Sequence, residues 1–279
     1  MNIEVAFTED PVVVLRIAGE FLTSQPALHN LILSILYARV ARPDPGRYWV
    51  ALDGAQERVL GVVLQSPLTF PATLTPMQTC AITALVAAIA EAGVSLPGVN
   101  GEAATAAGFA GQWTEKCKSA ATPIMGNRLY ELLALGESPA VPGKFRQAVP
   151  SDRGLMIHWT RSFQSEVSEP ADDIDLRVDA ALAGGHLWLW DDGDTASMAF
   201  SREPVEGVVR VSGVYTPVDK RKRGYAEACV HALSKRLVNA GYRCVLYTDL
   251  ANPISNSIYR RIGYTAVAEV LRYRFAEHG

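Results

Sequence analysis

The stretch from Val211 to Tyr264, VSGVYTPVDKRKRGYAEACVHALSKRLVNAGYRCVLYTDLANPISNSIYRRIGY, narrows the fold more than any other part of the chain. Val211, Val214 and Tyr215 are strand formers, and Pro217 ends the run because it has no N–H to give a ladder. Ala226, Cys229, Val230, Leu233 and Leu237 recur at helical spacing, so one apolar face can lie on a sheet. Gly241 stops that helix, and Cys244 to Tyr247 resume as a strand. Asn252 and Pro253 then open a short helix. Strand, long helix and second strand in this order make a crossover unit.

The turn inside the unit carries the chemical signal. Lys220, Arg221, Lys222 and Arg223 precede Gly224, placing free helix N–H groups inside a concentration of positive charge. That combination suits an anion, and a glycine lets the anion approach the backbone closely. A four-residue charge run taken alone reads more readily as a solvated basic loop.

Length and composition set the frame around this unit. A chain of 279 residues holds one large or two ordinary domains, and 49% hydrophobic residues supply the core. The net charge of −3 gives no global attraction to nucleic acid or anionic membrane. Cys80, Cys117, Cys229 and Cys244 show no C-x-x-C spacing and read as reduced core thiols of a cytoplasmic protein. The opening residues carry acids rather than a basic signal segment, and the apolar run Cys80 to Ala90 is too short to span a bilayer. His29, His158, His186, His231 and His278 show no ligand spacing, so no metal is expected, and His231 is expected on the exposed side of its helix.

Arg221, Gly224 and Ala226 match the R/Q-x-x-G-x-G/A signature of the GNAT superfamily of acyl-CoA-dependent N-acyltransferases. Asn252, Ser255, Ile258, Tyr259, Ile262, Gly263 and Tyr264 resemble its second motif, N-x-x-A/S-x-x-L/I-Y-x-x-x-G-F/Y. From about Phe145 to Phe275 the chain is similar to that superfamily, and most of all to its glycine N-acyltransferase-like branch. The resemblance implies an α/β (α+β) fold with a mixed, mostly antiparallel central sheet flanked by helices.

The first half reads as a diverged repeat of this plan. The chain in order reads as a strand over Ile3 to Phe7, an untyped apolar run over Val12 to Ile17, and a helix over Pro26 to Val40 with Ser24 as its cap. Tyr48 to Leu52 and Val59 to Gln65 make a hairpin, and helices follow over Met77 to Ala92 and Ala103 to Cys117. A strand over Arg128 to Leu135 closes the half. Residues 136–143, GESPAVPG, read as a linker. Beyond it come a strand over Phe145 to Val149, helices over Asp152 to Glu166 and Asp175 to Leu182, and a hairpin of His186 to Trp190 with Ala196 to Arg202. The similar order predicts two tandem GNAT-like domains: a degenerate one over 1–135 and a catalytic one over 144–279. The first half lacks the R-x-x-G-x-A turn, and its region 93–101 is rich in proline and glycine instead.

What the resemblance implies for the site can be given residue by residue. The pantetheine arm of acetyl-CoA would pair with backbone at Val214, Tyr215 and Thr216. The pyrophosphate would rest on amides of Lys222, Arg223, Gly224, Tyr225, Ala226 and Glu227, with Arg221 or Lys220 reaching a phosphate. Asn252 and Ser255 would meet the pantetheine, although Asn252 before Pro253 is also an ordinary N-cap. Tyr259 would protonate the leaving thiolate, although a tyrosine beside Ile258 and Ile262 is also an ordinary core residue. Asp249 and Glu166 are the carboxylates to test as general base, with water chains as the alternative. The acceptor, an amine on a small molecule rather than a protein, would enter near Trp159, Phe163, Glu166, Glu169, Asp172 and Asp173, whose acids could favour a cationic amine. A non-catalytic acyl-CoA sensor is the competing reading. A nucleotide-phosphate binder is disfavoured because G-x-x-x-x-G-K-S/T and G-x-G-x-x-G are absent.

Overall fold

A computed structural model describes residues 2–56, 58–167 and 173–276, and the chain forms two compact units. The first comprises Met1–Leu129, Asp249–Ala251 and Ala266–Gly279; the second comprises Tyr130–Thr248 and Asn252–Thr265.

The first unit runs β1 (Ile3–Thr8), α1 (Pro11–Ser24), α2 (Asn30–Ala41), β2 (Arg47–Asp53), β3 (Arg58–Gln65), β4 (Ala72–Leu74), α3 (Thr79–Glu91), β5 (Gly98–Glu102), α4 (Ala103–Cys117) and the start of β6 (Ala121–Leu132). The strand order is β1-β2-β3-β4-β5, followed by the last strand of the sequence, β12 (Tyr264–Phe275). Trp49, Val63, Leu85, Ile89 and Phe109 fill its core, and Trp113 stacks between Phe109 and Phe275 at 6.0 and 5.6 Å.

The second unit runs β7 (Lys144–Gln147), a 3-10 turn (Pro150–Asp152), α5 (Arg153–Val167), α6 (Ile174–Ala183), β8 (Leu187–Asp192), β9 (Asp194–Ser201), β10 (Val208–Tyr215), α7 (Tyr225–Asn239), β11 (Arg243–Asp249) and α8 (Pro253–Ile262). The strand order is β7-β8-β9-β10-β11, with the end of β6 next to β11. Strands β7 to β10 pair antiparallel, and β10 with β11 parallel. Alternation along these strands loads both faces. Trp188, Ala199, Val209, Val211 and Leu246 pack with Cys229, Val230, Leu233 and Leu237 of α7. Leu187, Leu189, Met198 and Tyr215 pack with Met156, Ile157 and Trp159 of α5 and with Ile174 and Val178 of α6.

From β1 to β6 and from β7 to β12 the chain passes through the same order, βααβββαβαβ. The units nevertheless divide differently from a simple cut at 136–143. From residue 266 the last strand belongs to the first unit, where Val270 to Arg274 pair antiparallel with Gly98 to Glu102. Gly98 has no room for a Cβ because the Tyr273 backbone lies against it, and Gly101 lies against Leu74. That close approach explains why the end of the proline- and glycine-rich segment is the strand β5. Residues 136–143 fall inside the second unit, where Gly136 N–H donates to Ile262 and Trp190 Nε1 donates to the Pro142 carbonyl.

Other expectations also change. Val12 to Ile17 lie within α1, whose start Asp10 caps by accepting from Val12 N–H at 2.8 Å. Ser24 ends α1 instead of capping α2, and its hydroxyl donates back to Phe21 O. His231 is buried, with Nε2 3.0 Å from the Gly136 carbonyl, because its face of α7 is covered by that segment. Cys229 and Cys244 are core thiols as expected, but Cys80 is exposed at the start of α3.

β7 is tied to the start of α5 by charge. Arg146 donates to both oxygens of Asp152, at 2.6 and 3.0 Å, and to Asp191. Asp152 also accepts from Val149 N–H at 2.8 Å. The Arg146 hydrogen bond holds the Asp152 carboxyl below the usual carboxylate range. A depressed folded value stabilises above the unfolded value, about 3.9, and the contribution is lost as pH falls through the folded one. Asp152→Asn should therefore cost about 2 kcal/mol at pH 7 in denaturant unfolding. The gap to wild type should close below about pH 4.

Candidate functional site

The site is built where β10 leaves β11. The parallel ladder pairs Val208 with Arg243 through Val211 with Leu246 and ends there, although β10 continues to Tyr215 and β11 to Asp249. On its other side β10 slips register against β9 between Ser212 and Tyr215. Gly213 makes the slip at φ +58°, where a Cβ would lie 2.7 Å from the Phe200 ring. A bulge of this kind bends and twists its strand, turning backbone beyond Val211 away from the parallel ladder. Such an edge offers N–H and C=O groups to an extended, amide-bearing ligand.

After Pro217 a short 3-10 turn (Val218–Lys220) leads to Lys222 at φ +62° and Gly224 at φ +81°. The two left-handed residues bring the chain round to the start of α7. Gly224 is the N-cap and has no side chain with which to satisfy the first-turn donors. Its carbonyl accepts from Ala228, and the amides of Tyr225, Ala226 and Glu227 have no side-chain cap.

The basic residues divide into two kinds. Lys220 Nζ donates to the Thr195 carbonyl at 2.9 Å. Arg221 Nη2 donates to both oxygens of Glu166, at 2.6 and 2.8 Å, and its Nε donates to Thr216 O at 2.8 Å. The Arg221 guanidinium also lies over the Tyr215 ring, 5.7 Å from its centroid. These two cations fix the turn, so neither is a spare phosphate ligand in this conformation. Lys222 and Arg223 are exposed beside Gly224, with Arg223 3.4 Å from Asp219 O and beside the Tyr225 hydroxyl. Tyr225 donates to Asp192 at 2.6 Å, and Glu227 binds Arg261 at 2.6 Å, fastening α7 to the β8-β9 hairpin and to α8.

On α8, Asn252 Oδ1 accepts from Ser255 N–H at 3.0 Å, and Pro253 takes the first helical position. The N-cap reading is thus realised, with Asn252 itself exposed. Tyr259 points into the core beside Tyr130 and Tyr264, with ring centroids 6.4 and 6.1 Å away. Tyr130 donates to Asn256 at 2.9 Å, and the Tyr264 and Ser234 hydroxyls are 2.8 Å apart. The Tyr259 hydroxyl makes no hydrogen bond among the described residues, unlike its neighbours. Burial pushes its pKa up to about 12, so it keeps its proton at neutral pH.

The two candidate bases part company. Glu166 lies in the second unit, held by Arg221. Asp249 belongs with the first unit, exposed, and accepts from Ala251 N–H at 2.8 Å in a local turn. Asp173 is the exposed N-cap of α6, while Glu169, Asp172 and His278 lie outside the described residues. Sequence reading missed Asp192, which anchors Tyr225, and the buried pair Thr160 and Gln164 on α5. The only signal for that pair was two polar residues at i and i+4 on a helix face that also holds Met156. Among the described residues no helix is long and apolar enough to cross a membrane, and no group of three His, Cys, Asp or Glu could hold a metal.

Residues 192–273 match the family model described as FR47-like protein, a span that contains β10, the turn, α7, β11 and α8. A GNAT-family acetyltransferase from Colwellia psychrerythraea superposes with a TM-score of 0.62 at 11% identity, covering 98% of this chain and 100% of that one. A GCN5-related N-acetyltransferase from Sphaerobacter thermophilus gives 0.65 at 12%, covering 97% and 95%. The fold is that of the GNAT acetyltransferases. A GCN5-related N-acetyltransferase from Kribbella flavida matches over 79% of this chain and 89% of that one, at 17% identity and a TM-score of 0.52. No curated protein matches the sequence. Within the GNAT fold the parted strands and the glycine turn of the second unit lie inside the matched span.

The unpartnered phenol has a stability consequence. Tyr259→Phe should change unfolding free energy by less than about 0.5 kcal/mol, whereas Tyr264→Phe, which strands the buried Ser234 hydroxyl, should cost about 1 kcal/mol or more. Thermal denaturation of the two variants side by side checks the contrast.

Proposed function

We propose that the second unit is an acetyl-CoA-dependent N-acetyltransferase and that the first is a degenerate copy of the same domain. On its RGYA and LYTDLANPISNSIYRRIGY stretches we place it nearest the glycine N-acyltransferase-like branch. The observation that carries the reading is the opening between β10 and β11 beside an uncapped helix start flanked by Lys222 and Arg223. An arm bearing amides fits the first, and a pyrophosphate fits the second. Gly224 lacks a Cβ, and the Val141 side chain that lies 2.8 Å from where one would sit must turn aside for the close approach, while Val214, Tyr215 and Thr216 supply the strand edge.

Acetyl-CoA brings an acetyl group already activated as a thioester. The chain's residues then have three tasks. The β10 edge and the α7 amides orient the donor. Tyr259, neutral and without a hydrogen bond of its own, gives its proton to the departing sulfur as the amine nitrogen takes over the acetyl carbon. Glu166, in the same unit, receives the proton of the attacking amine directly or through water, once it is free of Arg221. The acceptor is an amine on a small molecule, attacking in a ternary complex in the cytoplasm. A sensor that binds acetyl-CoA without turnover keeps the donor site and drops the other two tasks. The Glu166–Arg221 pair is the feature that favours it.

Isothermal titration should give one acetyl-CoA per chain. The segment of the first unit between β4 and α3, Thr75 to Gln78, offers neither a cation nor a glycine. Gly224→Val should abolish binding, because it blocks the backbone and forces a β-branched residue to φ +81°. Two sites per chain, or unchanged affinity in the variant, would move the donor site elsewhere. Tyr259→Phe should then lose roughly 100- to 10,000-fold in rate while keeping acetyl-CoA affinity. Full turnover in that variant would return Tyr259 to the core, and a wild type inert against a broad amine panel would favour the sensor.

A further inference from the structure

Helix α5 packs on β10 and on α6. Trp159 sets its ring 5.9 Å from that of Tyr215 at the end of β10, and Glu166 reaches Arg221 in the turn. Between these anchors, on the inward face, lie Thr160 and Gln164, only 4% and 1% exposed. The Thr160 hydroxyl and both polar atoms of the Gln164 amide are buried and have no hydrogen-bond partner among the described residues. Native proteins pair the great majority of such atoms, because each one left unpaired disfavours the folded state. Three of them within one helical turn, on the helix that packs against the strand of the donor site, call for a ligand.

The chemistry of that ligand follows from the atoms. The Gln164 amide presents an acceptor and a donor side by side, and Thr160 adds a hydroxyl that can do either. An ammonium would satisfy the carbonyl oxygen and oppose the NH2 group. A carboxylate would do the reverse. A second amide meets both, C=O to N–H and N–H to O=C. The nearest carboxylate on the helix, Glu166, is already bidentate to Arg221, which weakens the expectation of a cation site here.

We propose that Thr160 and Gln164 recognise an amide on the acceptor, so that the substrate is an amine carried next to an amide group, as in an aminoacyl amide. The proposal rests on the transferase reading of the second unit and names its substrate class.

Glycinamide and ethylamine are titrated separately into the full chain and into Gln164→Met, followed by thermal denaturation, with acetyl-CoA titrated into both proteins by calorimetry. Glycinamide should stabilise the wild type at about tenfold lower concentration than ethylamine, as two added hydrogen bonds require. Gln164→Met should raise the melting temperature of the free protein by roughly 3–6 °C, since a stranded amide is gone, and should lose the preference for glycinamide. Thr160→Val, nearly the same in shape, should weaken that preference and serves if the first variant does not fold. Equal responses of the wild type to the two amines, or a preference that persists in Gln164→Met, would overturn the proposal and leave an amide bridged by water. Loss of acetyl-CoA binding in the wild type would instead overturn the transferase reading, and the glycinamide comparison distinguishes that failure because it needs no donor.

Discussion

The parting of β10 from β11 at Val211 governs the second unit. A parallel pair has no reason to separate in mid-strand unless something bends one member, and the bend here is the bulge at Ser212 to Tyr215. Position 213 combines φ +58° with a Phe200 ring 2.7 Å from where a Cβ would sit, a pairing that suits glycine, so the opening depends on one residue type at one position. The proposed site is assembled around that opening: the glycine turn at the end of β10, the first amides of α7, and the phenol of Tyr259 on the helix after β11.

Charge in the turn has a different distribution from the one a basic run suggests. Lys220 and Arg221 are spent on carbonyls and on Glu166, so they hold the loop in the conformation that exposes the α7 amides. The ion pair is half exposed, so its direct contribution to stability is small, and its role is geometric. It joins α5, the helix proposed to read the acceptor, to the turn proposed to hold the donor. The anion site proposed there would be mostly backbone, with Lys222 and Arg223 as exposed counter-charges.

Much of this was legible in the residues. The Val208 to Tyr215 strand, the α7 face of Cys229, Leu233 and Leu237, and the Asn252-Pro253 helix start are local patterns, and local patterns survive folding. What failed depended on distant partners. Gly98 and Gly101 look like loop residues until the backbone of Tyr273 and the Leu74 side chain lie against them. His231 looked exposed because nothing local says that the Gly136 carbonyl covers it. The membership of the last strand in the first unit follows from pairing with β5, a contact of long sequence separation. Tyr259 was named as an acid by resemblance, but that its hydroxyl has no hydrogen bond among the described residues while those of Tyr130 and Tyr264 have one is visible only in three dimensions. Thr160 and Gln164 were silent for the same reason, since two polar residues on a helix ordinarily face water.

Hydrogen exchange with and without acetyl-CoA reads the opening itself, amide by amide. The donor should slow exchange at Ser212 to Thr216 on the β10 edge and at Tyr225 to Glu227 in the first turn of α7, with Thr75 to Ile82 in the first unit unchanged. Unaltered exchange across residues 212–227 with acetyl-CoA bound, or protection confined to the first unit, would contradict the placing of the donor between the parted strands.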